Sequence, residues 1–140
     1  MKEALVDANV ILRYLTKDPP AMAEAALKIF NDATSGKISL LIIPITVAEV
    51  VWVLESFYEY SKQQIAETMT QFLICGGLEV ESLDLLMGAL SLYHEKNLDF
   101  ADAILALTAL RNGPKVIYSF DRDLDRVDGI KRLEPNLRNC

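Results

Sequence analysis

Histidine occurs once in this chain, at His94, and cysteine twice, at Cys75 and Cys140. A single imidazole gives no set of soft ligands, and it leaves a serine or cysteine nucleophile without a dedicated base. His94 lies in YHEKN near an expected helix end and reads as a solvated surface side chain. Two cysteines are too few for a disulfide framework, and no signal peptide precedes the first apolar strand. A reducing, cytoplasmic location is therefore the expectation. Basic residues are also in deficit, with 14 Lys and Arg against 20 Asp and Glu and a net charge of −6. That balance argues against a generic nucleic-acid-coating protein, which carries a basic patch. It leaves room for an acidic pocket whose local sign a bound divalent cation inverts. Linkers, low-complexity stretches and internal repeats are absent as well.

What is present is a chain of 140 residues, 51% hydrophobic and 24% charged. This is enough for one domain, residues 1–140, with a core of its own. The longest apolar run, ISLLIIPITVAEVVWVL over 38–54, falls short of the ~20 residues a membrane span needs. Pro44 interrupts it and Glu49 sits well inside it. A buried strand, a break at Pro44 and a buried helix fit better than a span.

Strands are expected at Ala4–Val6, Ile38–Ile43, Leu78–Val80 and Val116–Tyr118, with a last edge strand at Arg132–Leu133. Helical spacing follows Asp7, then recurs over Ala21–Ala33 after Pro19 and Pro20. Thr46 with Glu49 suggests a capping box for a helix over Val47–Phe57, and Ser61 with Gln64 repeats the signal. Leu83–Glu95 and a helix opened by Asp99 and running through Leu110 complete the set. Strands alternating with helices imply an α/β fold on a mainly parallel sheet with helices on both faces.

Three carboxylates stand alone in the most apolar segments: Asp7 in ALVDANVIL, Glu49 in the long run, and Asp102 in FADAILALTAL. Charged groups in apolar surroundings call for a partner or a cation. Ligands of open parallel sheets sit beyond the carboxyl ends of the strands. Asp7 ends the first strand, and Asp121 follows VIY, so the two are neighbours if those strands are adjacent. Glu49 and Asp102 fall in the first turns of helices that start on that side. Four acidic groups are thus expected to converge on one rim, where mutual repulsion favours Mg²⁺ or Mn²⁺. Such ions activate water for phosphodiester cleavage.

Each residue also has a plain structural role. Asp7 could cap the following helix, Glu49 could close a capping box, and Asp99 with Asp102 is capping-shaped. Asp121, Asp123 and Asp125, among Arg122 and Arg126, could be a solvated turn. DRDLD is no calcium loop, since Arg126 occupies the place of the required glycine.

Four segments in order, LVDANVILRYL, TVAEVVWVL, DFADAILALTALRNG and VIYSFDRDLDRVDGI, resemble the PIN-domain family, in particular the VapC-type toxin ribonucleases. The resemblance covers nearly the whole chain. It implies a three-layer α/β/α sandwich on a mainly parallel central sheet of four to five strands. It further implies a Mg²⁺- or Mn²⁺-dependent endoribonuclease, the toxin of a type II toxin–antitoxin system. Carried over residue by residue, Asp7, Glu49, Asp102 and Asp121 are the acidic site, with Asn9 supporting the first carboxylate. Asp99 could share the role of Asp102, and Asp123 that of Asp121. Expected partners are RNA, an antitoxin protein and a second copy of the chain, with no membrane. Trp52, Phe57, Tyr58 and Tyr60 read mainly as core plus a few surface aromatics, or else as part of a partner groove. Arg13, Lys17, Arg111 and Arg122 are candidates for phosphate contacts.

Two alternatives fit less well. A catalytically silent PIN-like scaffold would be expected to have lost a motif residue. A receiver-type phosphoacceptor module wants a second acidic residue beside Asp7, where Ala8 stands.

Overall fold

A computed structural model describes residues 2–136, leaving Cys140 outside the described residues. The chain divides into two compact units between Leu83 and Asp84.

In the first unit, β1 (Lys2–Leu5), β2 (Ile38–Ile42) and β3 (Leu78–Val80) form a sheet in the order β1-β2-β3. Both pairings are parallel, with Ala4 opposite Leu40 and Leu40 opposite Leu78. The helices are α1 (Ala8–Thr16), α2 (Pro20–Thr34), α3 (Pro44–Ser56) and α4 (Lys62–Leu73). Leu40 and Ile42, two residues apart and so on one face of β2, are fully buried. Val47, Val50, Val51 and Leu54 of α3 recur at helical spacing and are buried too, as are Ile65, Met69 and Leu73 of α4. Tyr14, Phe30 and Phe72 join α1, α2 and α4 through ring contacts, the closest centroids 4.4 Å apart.

The second unit holds α5 (Leu83–Glu95, beginning at the boundary), α6 (Phe100–Arg111), β4 (Val116–Tyr118), a 3-10 helix (Arg122–Arg126) and β5 (Lys131–Leu133). β4 and β5 pair in parallel, Ile117 opposite Arg132. Its core is Leu86, Ala89, Leu90, Tyr93, Leu98, Phe100, Ala103, Ala106 and Leu124. A Cβ on Gly88 would stand 2.4 Å from Leu107 Cδ2, so a larger residue there requires the Leu107 side chain to shift. The far end of α6 is held by Lys115, whose Nζ donates to the Ala109 carbonyl at 3.0 Å and to that of Leu110.

The α/β class, the order of elements and the parallel pairing are as the sequence implied. Several details differ. α3 begins at Pro44, three residues before the expected start, and Thr46 is a buried residue of its first turn instead of the cap. Proline at the first helical position needs no amide partner and has its φ preset, so no side-chain cap is required. The capping box at Ser61 is fully formed: Ser61 Oγ accepts from the Gln64 amide at 3.1 Å, and Gln64 Oε1 accepts from the Ser61 amide at 2.9 Å. β4 is not a buried strand; only Ile117 is inside, while Val116 and Tyr118 are exposed. Trp52 is 66% and Phe57 73% exposed, so neither belongs to the core. Among the described residues, β1 pairs with β2 and β4 with β5, so the strands bearing Asp7 and Asp121 are not ladder partners. No helix among them is long and apolar enough to cross a membrane.

Candidate acidic site

Asp7 stands at the N-cap of α1, its backbone extended (φ −91°, ψ 171°), and its Oδ1 accepts from the Val10 amide at 3.1 Å. It is exposed, as is Asn9. The strand ends here because an extended aspartate turns the chain into a helix and satisfies one of that helix's free amides. Glu49 lies in the second turn of α3, since the helix starts at Pro44, and its side chain is exposed. It therefore cannot close a cap; Val47, Val50, Val51 and Leu54 are buried, while Ile45 and Trp52, one turn either side of Glu49, are exposed with it. The isolation of Asp7 and Glu49 in the sequence is thus not isolation in the interior.

The second unit brings acidic groups together. Asp99 occupies the N-cap of α6 without a side-chain capping bond, and Asp102 sits three positions on. Asp121 caps the 3-10 helix after β4, its Oδ1 accepting from the Asp123 amide at 2.9 Å, while its own amide donates to Ser119 Oγ at 2.9 Å. Asp102 and Asp121 are near enough for the Asp121 carboxyl to bear on the ionisation of Asp102. Burial raises the Asp102 pKa above the ordinary carboxylate value, and the Asp121 contact and the charges of Asp99 and Asp123 push it further up. These neighbours make ionisation costly, which is the environment a cation relieves.

Asp123 is engaged differently. Its Oδ1 receives Arg126 Nη2 at 2.9 Å, and Arg126 Nη1 donates to the carbonyls of Asn97 (2.8 Å) and Lys96 (3.4 Å). Arg132, its side chain only 12% exposed, grips Asp125 through two bonds of 3.0 and 3.3 Å. It also donates to the Ser119 carbonyl and to Glu134, each at 3.0 Å. The Arg132 guanidinium holds the Asp125 carboxyl below its ordinary pKa. Neither arginine stood out in the sequence. Arg126 read only as part of a solvated charged turn with Asp121, Asp123 and Asp125, and Arg132 carried no local signal.

Of the candidate phosphate contacts, Arg122 is exposed beside Asp121, whereas Arg111 closes the last turn of α6. Nine residues of helix put Arg111 about 13 Å along the axis from Asp102. Arg13 is engaged, donating to Tyr58 Oη and the Asp18 carbonyl, each at 3.3 Å. Lys17 is the left-handed C-cap residue of α1. His94 is exposed, as expected.

Among the described residues, no three His, Cys, Asp or Glu side chains are arranged to hold one ion. The Asp102–Asp121 pair nonetheless offers what a hard cation prefers, carboxylate oxygens on neighbouring side chains. Mg²⁺ keeps several waters and commonly takes only one or two protein carboxylates, with substrate phosphate completing its shell.

The family model for the PIN domain matches residues 4–130, running through both units. The chain is also similar to a VapC ribonuclease of Aquifex aeolicus (strain VF5), at 24% identity over 131 residues, which covers 94% of this chain and 96% of that protein.

Proposed function

From the chain's membership of the PIN domain family, whose fold is a three-layer α/β/α sandwich, we propose that it is a metal-dependent endoribonuclease of the VapC kind, the toxin of a toxin–antitoxin pair. The observation that carries this is the proximity of Asp102 and Asp121, which together with burial holds Asp102 above its ordinary pKa. The similarity to a ribonuclease over 94% of the chain supports it. The family match, unbroken across residues 4–130, supports reading the two compact units as one domain.

In this reading Asp102 and Asp121, with Asp7, are the carboxylates that bind Mg²⁺ or Mn²⁺, and Asn9 supports Asp7. When bound, the cation supplies activation of water and stabilisation of phosphoryl charge. Glu49 orients the attacking water and accepts its proton. Water attacks phosphorus, the bond to the ribose 3′ oxygen breaks, and the products carry a 5′-phosphate and a 3′-hydroxyl. Arg122 is the cationic side chain best placed to meet the phosphate beside Asp121. Asp99 adds negative charge at the start of α6. Asp123, paired with Arg126, is the lesser candidate for a ligand.

An antitoxin protein and a second copy of the chain are the partners this reading carries. The exposed Trp52 and Phe57 on and after α3 offer apolar anchors for either. The want of a third ligating side chain among the described residues favours one rival, a PIN-like binding protein without activity. Incubating RNA with the protein and Mn²⁺ or Mg²⁺, against EDTA, separates the two. Metal-dependent cleavage that is absent in Asp7→Asn is the expected result; RNA left equally intact by both folded proteins supports the rival.

A further inference from the structure

Asp102 and Asp121 come from segments with no covalent reason to meet: the first turn of α6, and the turn after β4. One side chain spans those segments. Arg126 Nη1 donates to the carbonyl of Asn97 at 2.8 Å and, at 3.4 Å, to that of Lys96. Asn97 is held in the left-handed region (φ 52°) and lies two residues before the N-cap Asp99. The other nitrogen of the same guanidinium, Nη2, meets Asp123 Oδ1 at 2.9 Å, and the Asp123 amide donates to Asp121 Oδ1 at 2.9 Å. Hydrogen bonds and one ion pair thus link the loop that launches α6, through Arg126 and Asp123, to the carboxylate of Asp121.

We propose that Arg126 is a positioning residue: it sets the spacing of the Asp102–Asp121 pair and holds Asp123 out of that pair, fixing which carboxylates face the metal. The proposal rests on the nuclease reading above and extends it to a side chain outside the acidic set. A planar guanidinium suits the task because its fork donates in two directions at once. As an ion pair alone it would count for little, since Arg126 and Asp123 are about half exposed (45% and 48%). Its weight lies in the two carbonyls, which no surface ion pair needs. Lysine at this position has one donor nitrogen on a flexible stem and cannot reproduce the fork.

The test is Mn²⁺ affinity of the full chain, read by electron paramagnetic resonance of the free ion, well below the melting temperature of every variant. Arg126→Met is expected to weaken Mn²⁺ binding by about 10–100-fold, the range seen when groups that orient metal ligands are removed. Arg126→Lys should recover little of it. Asp123→Asn combined with Arg126→Met should lose no more than Arg126→Met alone, because both break the same link. Lys115→Met controls for instability: it removes the cap at the far end of α6 and should lower the melting temperature without altering Mn²⁺ affinity. Amide hydrogen exchange in metal-free protein adds a second readout, and the Asp123 amide should exchange faster in Arg126→Met. Unchanged Mn²⁺ affinity and unchanged Asp123 exchange in that variant overturn the positioning role alone. A wild-type protein that takes up no Mn²⁺ overturns the nuclease reading and this role together.

Discussion

Asp7 Oδ1 accepts the Val10 amide, so this side chain has a structural duty besides any chemical one, and substitution can separate the two. Asparagine caps a helix about as well as aspartate, whereas alanine costs ~1 kcal/mol. Asp7→Asn should therefore melt like the wild type yet lose cleavage, and Asp7→Ala should lose both, as thermal melts beside a cleavage assay will reveal. Asp102 behaves in the opposite sense. Its folded pKa lies above the ordinary value, so the folded state holds that proton more tightly than the unfolded chain. The associated stability is full below the unfolded pKa and is lost as pH rises through the folded one. Without metal, Asp102→Asn should then be the more stable protein at neutral pH, by a small margin because solvent screens the site. The advantage should shrink towards pH 4, and melts of both proteins across pH 4–7 will check it. Equal melting at every pH would remove the electrostatic strain assigned to Asp102. The sequence showed lone carboxylates but not which were strained. Asp7 proved exposed as the N-cap of α1, and Glu49 because the helix turns it outward. Asp102 is the one of the three whose surroundings press on its charge.

At the scale of elements, caps decided where the sequence could be read. The reciprocal Ser61–Gln64 bonds were legible from their spacing, and Ser61→Ala should lower stability by ~1 kcal/mol with cleavage untouched, measured by denaturant midpoint. Thr46 and Glu49 share that spacing but form no cap, because Pro44 starts the helix earlier without needing one. Glu49→Gln should accordingly leave stability within about 0.5 kcal/mol, as exposed substitutions do, while cleavage falls. A stability loss beyond that would assign Glu49 a packing role instead. The strands were readable from runs of β-branched and aliphatic residues, but their partners were not. Nothing in VIY or in Lys131–Leu133 states that these two pair with each other. Pairing is a long-range choice that local pattern leaves open.

For the whole molecule, the fold class followed from alternating elements and the chemistry from a scarcity: one histidine and a surplus of carboxylates. The part that Arg126 and Arg132 play in the acidic turn stayed hidden because, besides their carboxylate partners, they bind backbone carbonyls, which no side-chain pattern encodes. A cation bound only by the folded state raises stability by about 2.7 kcal/mol at a hundred times its Kd. Binding without turnover would still be compatible with a silent scaffold. Cleavage is therefore the deciding quantity. The measurement is the initial rate of RNA cleavage in Mn²⁺ by wild type and by Asp121→Asn, with the 5′ ends of the products analysed. We expect 5′-phosphate ends, suppression by EDTA, and a loss of at least about a hundredfold in the variant, or ~2.7 kcal/mol of transition-state stabilisation. Equal rates in the two folded proteins, or cleavage that persists in EDTA, would contradict the assignment of a metal-dependent nuclease to this chain.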